Sequence, residues 1–158
     1  KGHNLDRICI LGSREVFFYY DRLIKFLKSL SVADTKVVDL QTNLTLLNEI
    51  RIKELKQISD NTGVKYLFSP SVDGISKRTY ESIRKGAKFN QVIENLKLVR
   101  DTFGAENVYV NFTLKKPAYK ELPKVRSFFK KLGITNVQIS HDIYDEKAKK
   151  LLSNYKES

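Results

Sequence analysis

The chain has 158 residues, of which 41% are hydrophobic and 30% are charged. This length and composition predict one folded domain over residues 1–158 and exclude a chain too polar to bury a core. No apolar run is long enough to cross a bilayer and no secretory signal pattern is evident, so we expect a cytoplasmic protein with no membrane partner.

The formal net charge is +11, which raises the expectation of an anionic partner. However, the paired lysines at 115–116, 130–131 and 149–150 are dispersed along the chain rather than clustered with stacking aromatics. Nucleic-acid binding is therefore not favoured.

Cys9 is the single cysteine, so the chain cannot form an internal disulfide or ligate an iron–sulfur cluster through several thiolates. Its position within an apolar run predicts a buried side chain. The sequence contains no methionine, even at position 1, which favours a fragment of a longer chain.

Five short apolar runs predict β-strands. They read RICIL, KVVDLQ, VKYLFS, VYVNFTL and NVQIS, and they begin near residues 7, 36, 64, 108 and 136. Each run is rich in apolar and β-branched residues, which is typical of a strand buried on both faces of a parallel sheet.

Apolar stripes with helical spacing separate the runs, at residues 23–30, 47–58, 92–103 and 125–132. Glycines follow three of these stripes, where a C-terminal glycine adopts a left-handed conformation. Glu121-Leu122-Pro123 predicts a first helical turn, residues 75–89 are an insertion, and a last helix is expected at about 145–155.

Alternating strands and helices predict an α/β fold of repeated βα units. About five strands cannot close an eight-stranded barrel, so we expect an open parallel sheet, as in a partial barrel. Ligands in such folds bind beyond the carboxyl ends of the strands.

Polar residues follow all five predicted strands, at 12–15, 41–43, 69–74, 111–113 and 140–142. Parallel strands bring these ends to one rim. Hydroxyls, amides and carboxylates dominate there, and no glycine-rich phosphate loop is present. The rim suits a small polar ligand with amine and ribose groups better than a phosphate.

The segments LGSREVF, DLQTNLTLL, SPSVDGISKRTYESIRKGAKFNQVIENLKLVR, VNFTLKK and ELPKVRSFFKKLGITNVQIS occur in this order. Together they resemble the radical S-adenosylmethionine (SAM) superfamily over about residues 7–140. The branch that they resemble often carries a C-terminal SPASM or twitch accessory domain. The resemblance implies a partial TIM barrel that begins at the family's second strand.

The resemblance also implies roles at the first two strand ends. In the corner at residues 12–15, which includes Ser13, Glu15 would accept hydrogen bonds from the SAM ammonium group. Thr42 and Asn43 match a Thr-Asn pair that lies near the cofactor in the family.

Four further residues match family positions on the later strand ends. Ser71 and Asp73 belong to a Ser-x-Asp-Gly motif placed to bind ribose hydroxyls or a nearby substrate. Arg84 would face the SAM carboxylate as a fork donor, and Asn111 matches a polar position on a strand.

The sequence departs from the family in two respects. Arg14 replaces a glycine of the SAM corner, and the Cys-x₃-Cys-x₂-Cys loop that binds a [4Fe–4S] cluster is missing. The cluster is therefore expected only in an intact parent chain, and the chain alone is expected to be inactive.

Three functions remain open at this point. The chain is the SAM-binding core of a radical SAM enzyme that acts on an unknown peptide or small metabolite. Alternatively, it is a degenerate homologue that serves as a non-catalytic binding or scaffold domain. The third alternative is an unrelated basic α/β module with an anionic partner.

Overall fold

A computed structural model describes residues 5–11 and 15–155 of the chain. Within these ranges β-strands and helices alternate, as the sequence predicts. The strands are β1 (Leu5–Ile10), β2 (Thr35–Thr42), β3 (Lys65–Pro70), β4 (Val110–Leu114) and β5 (Val137–His141). The α-helices are α1 (Tyr20–Ser29), α2 (Glu49–Thr62), α3 (Lys77–Ile83), α4 (Phe89–Phe103), α5 (Val125–Lys131) and α6 (Glu146–Ser153). Short 3₁₀ helices cover Val16–Tyr19, Ala105–Asn107 and Lys116–Lys124.

All five strands run parallel, in a sheet of order β1-β2-β3 and a two-stranded sheet of β4 and β5. Isolated parallel bridges, Phe68 with Val108 and Ser71 with Asn111, join β3 to the segment containing β4. The predicted α/β class is therefore confirmed, but the expected single sheet is divided in two at this junction, which we call the β3–β4 junction.

The helices lie on one face of the sheets. Since the strands follow one another in space as they do in sequence, right-handed crossovers place every connecting helix on the same side. In β2, Val38 and Leu40 are buried in the core that the helices cover, whereas Gln41 is exposed. The prediction that the strands are buried on both faces is wrong, because residues that alternate with this core, such as Asp39 and Gln41, are half-buried or exposed.

The predicted burial of Cys9 is also wrong, since its side chain is exposed. The parallel register places it beside Asp39, on the uncovered face. The neighbouring Ile8 and Ile10 point to the other side and pack against the core. Alternation along the strand therefore decides the environment of Cys9, not the apolar character of the run.

The predicted apolar stripes form the helix side of the core. In α4, Val92, Leu96 and Val99 are fully buried, and α2 contributes its own buried stripe. The α2 helix ends at Gly63, whose φ of 72° is a left-handed conformation that costs glycine little. Burial of these stripes is the main force that fixes the helices on the sheets.

The insertion at residues 75–89 contains α3, which begins after Ser76. The Ser76 hydroxyl accepts a hydrogen bond from the Thr79 N–H and so caps the helix. The turn before it needs Gly74, because a Cβ there would lie 2.7 Å from the Tyr80 backbone nitrogen.

Residues near Pro123 differ from the expectation of a helix that starts at Glu121. Here the chain forms a 3₁₀ helix, and α5 begins only at Val125. Proline lacks the N–H that an α-helical interior would use, so it is accommodated in the tighter 3₁₀ turns. Among the described residues, no helix combines the length and the apolar character required to span a membrane.

Candidate functional site

Glu15 connects the start of the first helical segment to the end of β2. Its carboxylate accepts hydrogen bonds from the Thr42 hydroxyl at 2.5 Å and from the Asn43 N–H at 2.6 Å. Three residues predicted to share a site therefore lie together. Ser13, with the rest of the corner at 12–14, lies outside the described residues.

The loop after β2 is held in an unusual backbone conformation. Leu44 has a φ of 64°, which non-glycine residues adopt at a cost of about 1–2 kcal/mol. The Thr42 hydroxyl accepts from the Leu44 N–H at 2.9 Å, and the Asn43 side-chain oxygen accepts from the Thr45 N–H at 2.9 Å. These contacts fix the loop at the rim.

Asn95 supports the same loop from the helix layer. It is buried on α4, and its amide nitrogen donates to the carbonyls of Leu44 at 2.9 Å and Leu47 at 2.8 Å. Sequence reasoning missed it, although a polar residue within the apolar stripe of Val92, Leu96 and Val99 is a recognisable signal.

Replacing Asn95 with alanine should lower the free energy of unfolding by about 2 kcal/mol, because two carbonyls lose their buried donor. Urea unfolding measures the change. Asn90→Ala, at an exposed position of the same helix, is the control and should change stability by less than about 0.5 kcal/mol. Equal losses in the two variants would contradict the supporting role of Asn95.

Asp73 is the buried centre of a second group at the rim. Its Oδ2 accepts from Arg84 Nε at 3.0 Å and Nη2 at 2.8 Å, with Lys115 Nζ 3.7 Å away. Its Oδ1 accepts from the Thr113 N–H at 3.0 Å. Asp73 thus joins the loop after β3, the end of α3 and β4. Both carboxylate oxygens already accept protein hydrogen bonds, and the predicted roles of Asp73 and Arg84 towards a ligand stay predictions.

Ser71 and Asn111 face each other across the β3–β4 junction. They form one of its isolated bridges, and the Asn111 carbonyl accepts from the Val72 N–H at 3.0 Å. Both residues are half-buried. The structure therefore brings them to the same rim as Asp73.

Tyr80 lies between the two groups and was missed from the sequence. It is fully buried, and its hydroxyl has no hydrogen-bond partner among the described residues. Burial raises the pKa of Tyr80 to about 12; nearby Arg84 lowers it, while Asp73 and Glu15 raise it. The hydroxyl therefore lies within electrostatic reach of both groups.

A cleft of about 260 Å³ opens at this position. Its lining combines two amide or hydroxyl side chains, Tyr80, two cations and the turn that follows them: Asn43, Thr45, Tyr80, Arg84, Lys85, Gly86 and Ala87. Glu15 is not one of these lining residues, but it accepts a hydrogen bond from the backbone of Asn43, which is. The two cations of the lining and the Tyr80 hydroxyl, which has no partner among the described residues, can recognise an anionic group of a small ligand.

The residues at the rim offer hydrogen-bonding groups for a small polar ligand, but no set of thiolates for an iron–sulfur cluster. The Glu15 carboxylate can accept further hydrogen bonds from an ammonium group, and Tyr80 leaves a buried hydroxyl to be paired. The [4Fe–4S] cluster does not fit, because Cys9 is the only thiol in the sequence. In the described ranges, no three His, Cys, Asp or Glu side chains are grouped as metal ligands.

No family model matches the chain, and no curated protein matches it either.

Proposed function

We propose that this chain forms the SAM-binding rim of a partial barrel of the radical SAM type. In this role Glu15 binds the ammonium group of SAM, Thr42 and Asn43 hold Glu15 in place, and Arg84 faces the carboxylate. Ser71 and Asn111 border the ribose side of the ligand. The reaction is reductive cleavage of SAM in the intact enzyme, which then modifies an unknown substrate.

The observation that carries the proposal is the position of Glu15. Its carboxylate oxygens accept hydrogen bonds from Thr42, the last residue of β2, and from Asn43, the residue after it, which lie 27 and 28 positions later in the chain. A carboxylate held in this way is oriented before a ligand arrives, so little side-chain entropy is lost on binding a cation.

The fold supports the same proposal. Strands adjacent in sequence are adjacent in space, and their helices cover one face only. A doubly wound sheet would carry helices on both faces, whereas a barrel keeps them outside. An incomplete barrel accounts for the uncovered face and for polar residues at the carboxyl ends of the strands.

Radical chemistry also requires thiolates that this sequence does not contain. A [4Fe–4S] cluster supplies the electron for SAM cleavage when it is bound. We therefore expect this chain to bind SAM without cleaving it.

Glu15→Gln should raise the Kd for SAM about 10- to 100-fold, because it replaces an ionic hydrogen bond with a neutral one. Isothermal titration calorimetry of SAM into the wild-type and variant chains measures the change. Absence of SAM binding by the wild-type chain would overturn the proposal.

Asp34→Asn is the matched control. The Asp34 carboxylate also accepts one hydroxyl and one N–H, both from Ser31, at 2.7 Å and 2.9 Å, but it lies just before β2, at the opposite end of that strand from the rim. This variant should lose a comparable structural contact while SAM affinity stays unchanged. An equal loss of affinity in both variants would remove the direct role of Glu15.

A further inference from the structure

We infer that the Tyr80 hydroxyl donates a hydrogen bond to the α-carboxylate of the ligand and so makes the cleft specific for an amino-acid group. This inference rests on the proposed function, since the ligand tested is SAM. It adds a specificity-determining residue beside Arg84 that the resemblance does not supply.

The first argument is the unsatisfied state of the hydroxyl. Buried polar groups almost always have a hydrogen-bond partner, and leaving one without a partner is unfavourable. Tyr80 lies in the lining of the cleft, and its hydroxyl is unpaired among the described residues. A ligand acceptor placed there would supply the missing partner.

The second argument concerns the direction of the hydrogen bond. Tyr80 keeps its proton at physiological pH, because its pKa is raised to about 12, chiefly by burial. It is therefore a donor to a charged acceptor. Arg84 and Lys85 lie in the same lining and favour an acceptor with negative charge.

The third argument is the arrangement of charge across the site. Glu15 offers a carboxylate on the side of β2, whereas Arg84 and Lys85 offer cations on the side of α3. This arrangement matches the ammonium and carboxylate groups of one α-amino acid. A phosphate group near Glu15 would be repelled by the negative charge of its carboxylate.

Arg84 lies beside Tyr80 in the lining of the cleft. The Arg84 side chain is 29% exposed, and Asp73 engages its Nε and Nη2 groups. Its remaining N–H groups can bind the same carboxylate from the other side. Because the Tyr80 hydroxyl is buried, this inference requires a local rearrangement of the cleft that brings the hydroxyl into contact with the ligand.

The test compares two ligands that differ only in the carboxylate, SAM and decarboxylated SAM, by calorimetry. Tyr80→Phe should raise the Kd for SAM about 10- to 100-fold and leave the Kd for decarboxylated SAM within about twofold. The variant should fold at least as stably as the wild type, because it removes a buried hydroxyl to which no described residue is hydrogen-bonded.

Tyr66→Phe is the matched control. Tyr66 is also buried, and its hydroxyl has no hydrogen-bond partner among the described residues, but it lies near the start of β3, at the opposite end of the strand from the rim. It should leave the affinity for both ligands unchanged. If the wild-type chain binds SAM, two results would overturn this inference alone. Tyr80→Phe could leave SAM binding intact, or it could weaken the binding of both ligands equally. Failure of the wild-type chain to bind SAM would overturn the proposed function and this inference together.

Discussion

Asp73→Ala should lower the free energy of unfolding by about 3 kcal/mol, more than the other substitutions considered above. The Asp73 side chain is only 1% exposed, and its loss leaves Arg84 without its buried counter-charge. The Thr113 N–H also loses its acceptor. Because Arg84 is partly exposed and water can solvate it, the loss in free energy of unfolding should lie at the lower end of the range for breaking a buried ion pair.

Urea unfolding followed by circular dichroism measures this loss. Asp60→Ala removes the same charge from an exposed carboxylate that pairs with Lys56 on α2. This control should change stability by no more than about 0.5 kcal/mol. A small loss for Asp73→Ala, similar to the control, would mean that Asp73 does not hold the rim together.

Gly74→Ala should also cost about 3 kcal/mol, for a steric reason rather than an electrostatic one. The added Cβ would lie 2.7 Å from the Tyr80 backbone nitrogen and 2.9 Å from its Cα. Backbone atoms of a capped helix cannot move aside as a flexible side chain can, so α3 must shift. Because Tyr80 moves with α3, the variant should also bind SAM more weakly.

Gly86→Ala separates steric crowding from backbone conformation. Gly86 has a φ of 86°, but a Cβ there would meet no atom within 4 Å. Its substitution should therefore cost only the strain of the left-handed region, about 1 kcal/mol. Thermal and urea unfolding of both variants provide the comparison. A larger loss at Gly86 than at Gly74 would contradict the steric account.

The strands and helices could be predicted because their signal is local. Apolar runs and stripes depend on the period of one element, and all five strands appear within a few residues of their expected starts. The face on which a side chain lies depends on what covers the sheet. The burial of Cys9 was mispredicted for this reason, since the sequence did not reveal that one face is uncovered.

The candidate site was predictable only in part. Glu15, Thr42 and Asn43 could be grouped because parallel strands end at one rim, and the structure brings them together. The pairing of Asp73 with Arg84 depends on how α3 folds back over its turn, which no local pattern encodes. Tyr80 resembled an ordinary core aromatic, because only the folded structure shows that its hydroxyl has no partner in the part of the chain described.

The β3–β4 junction has a consequence for dynamics. Two isolated bridges span it, whereas continuous ladders join the strands on either side. Its amide protons should therefore exchange with solvent through local openings that leave both flanking sheets folded. The contact from Asp73 to Thr113 crosses this junction, so the rim closes only when the two sheets are joined. A molecule that binds only when the two sheets are joined makes these openings rarer, and the more tightly it binds, the larger the effect. Hydrogen exchange at the β3–β4 junction therefore measures whether the site is occupied.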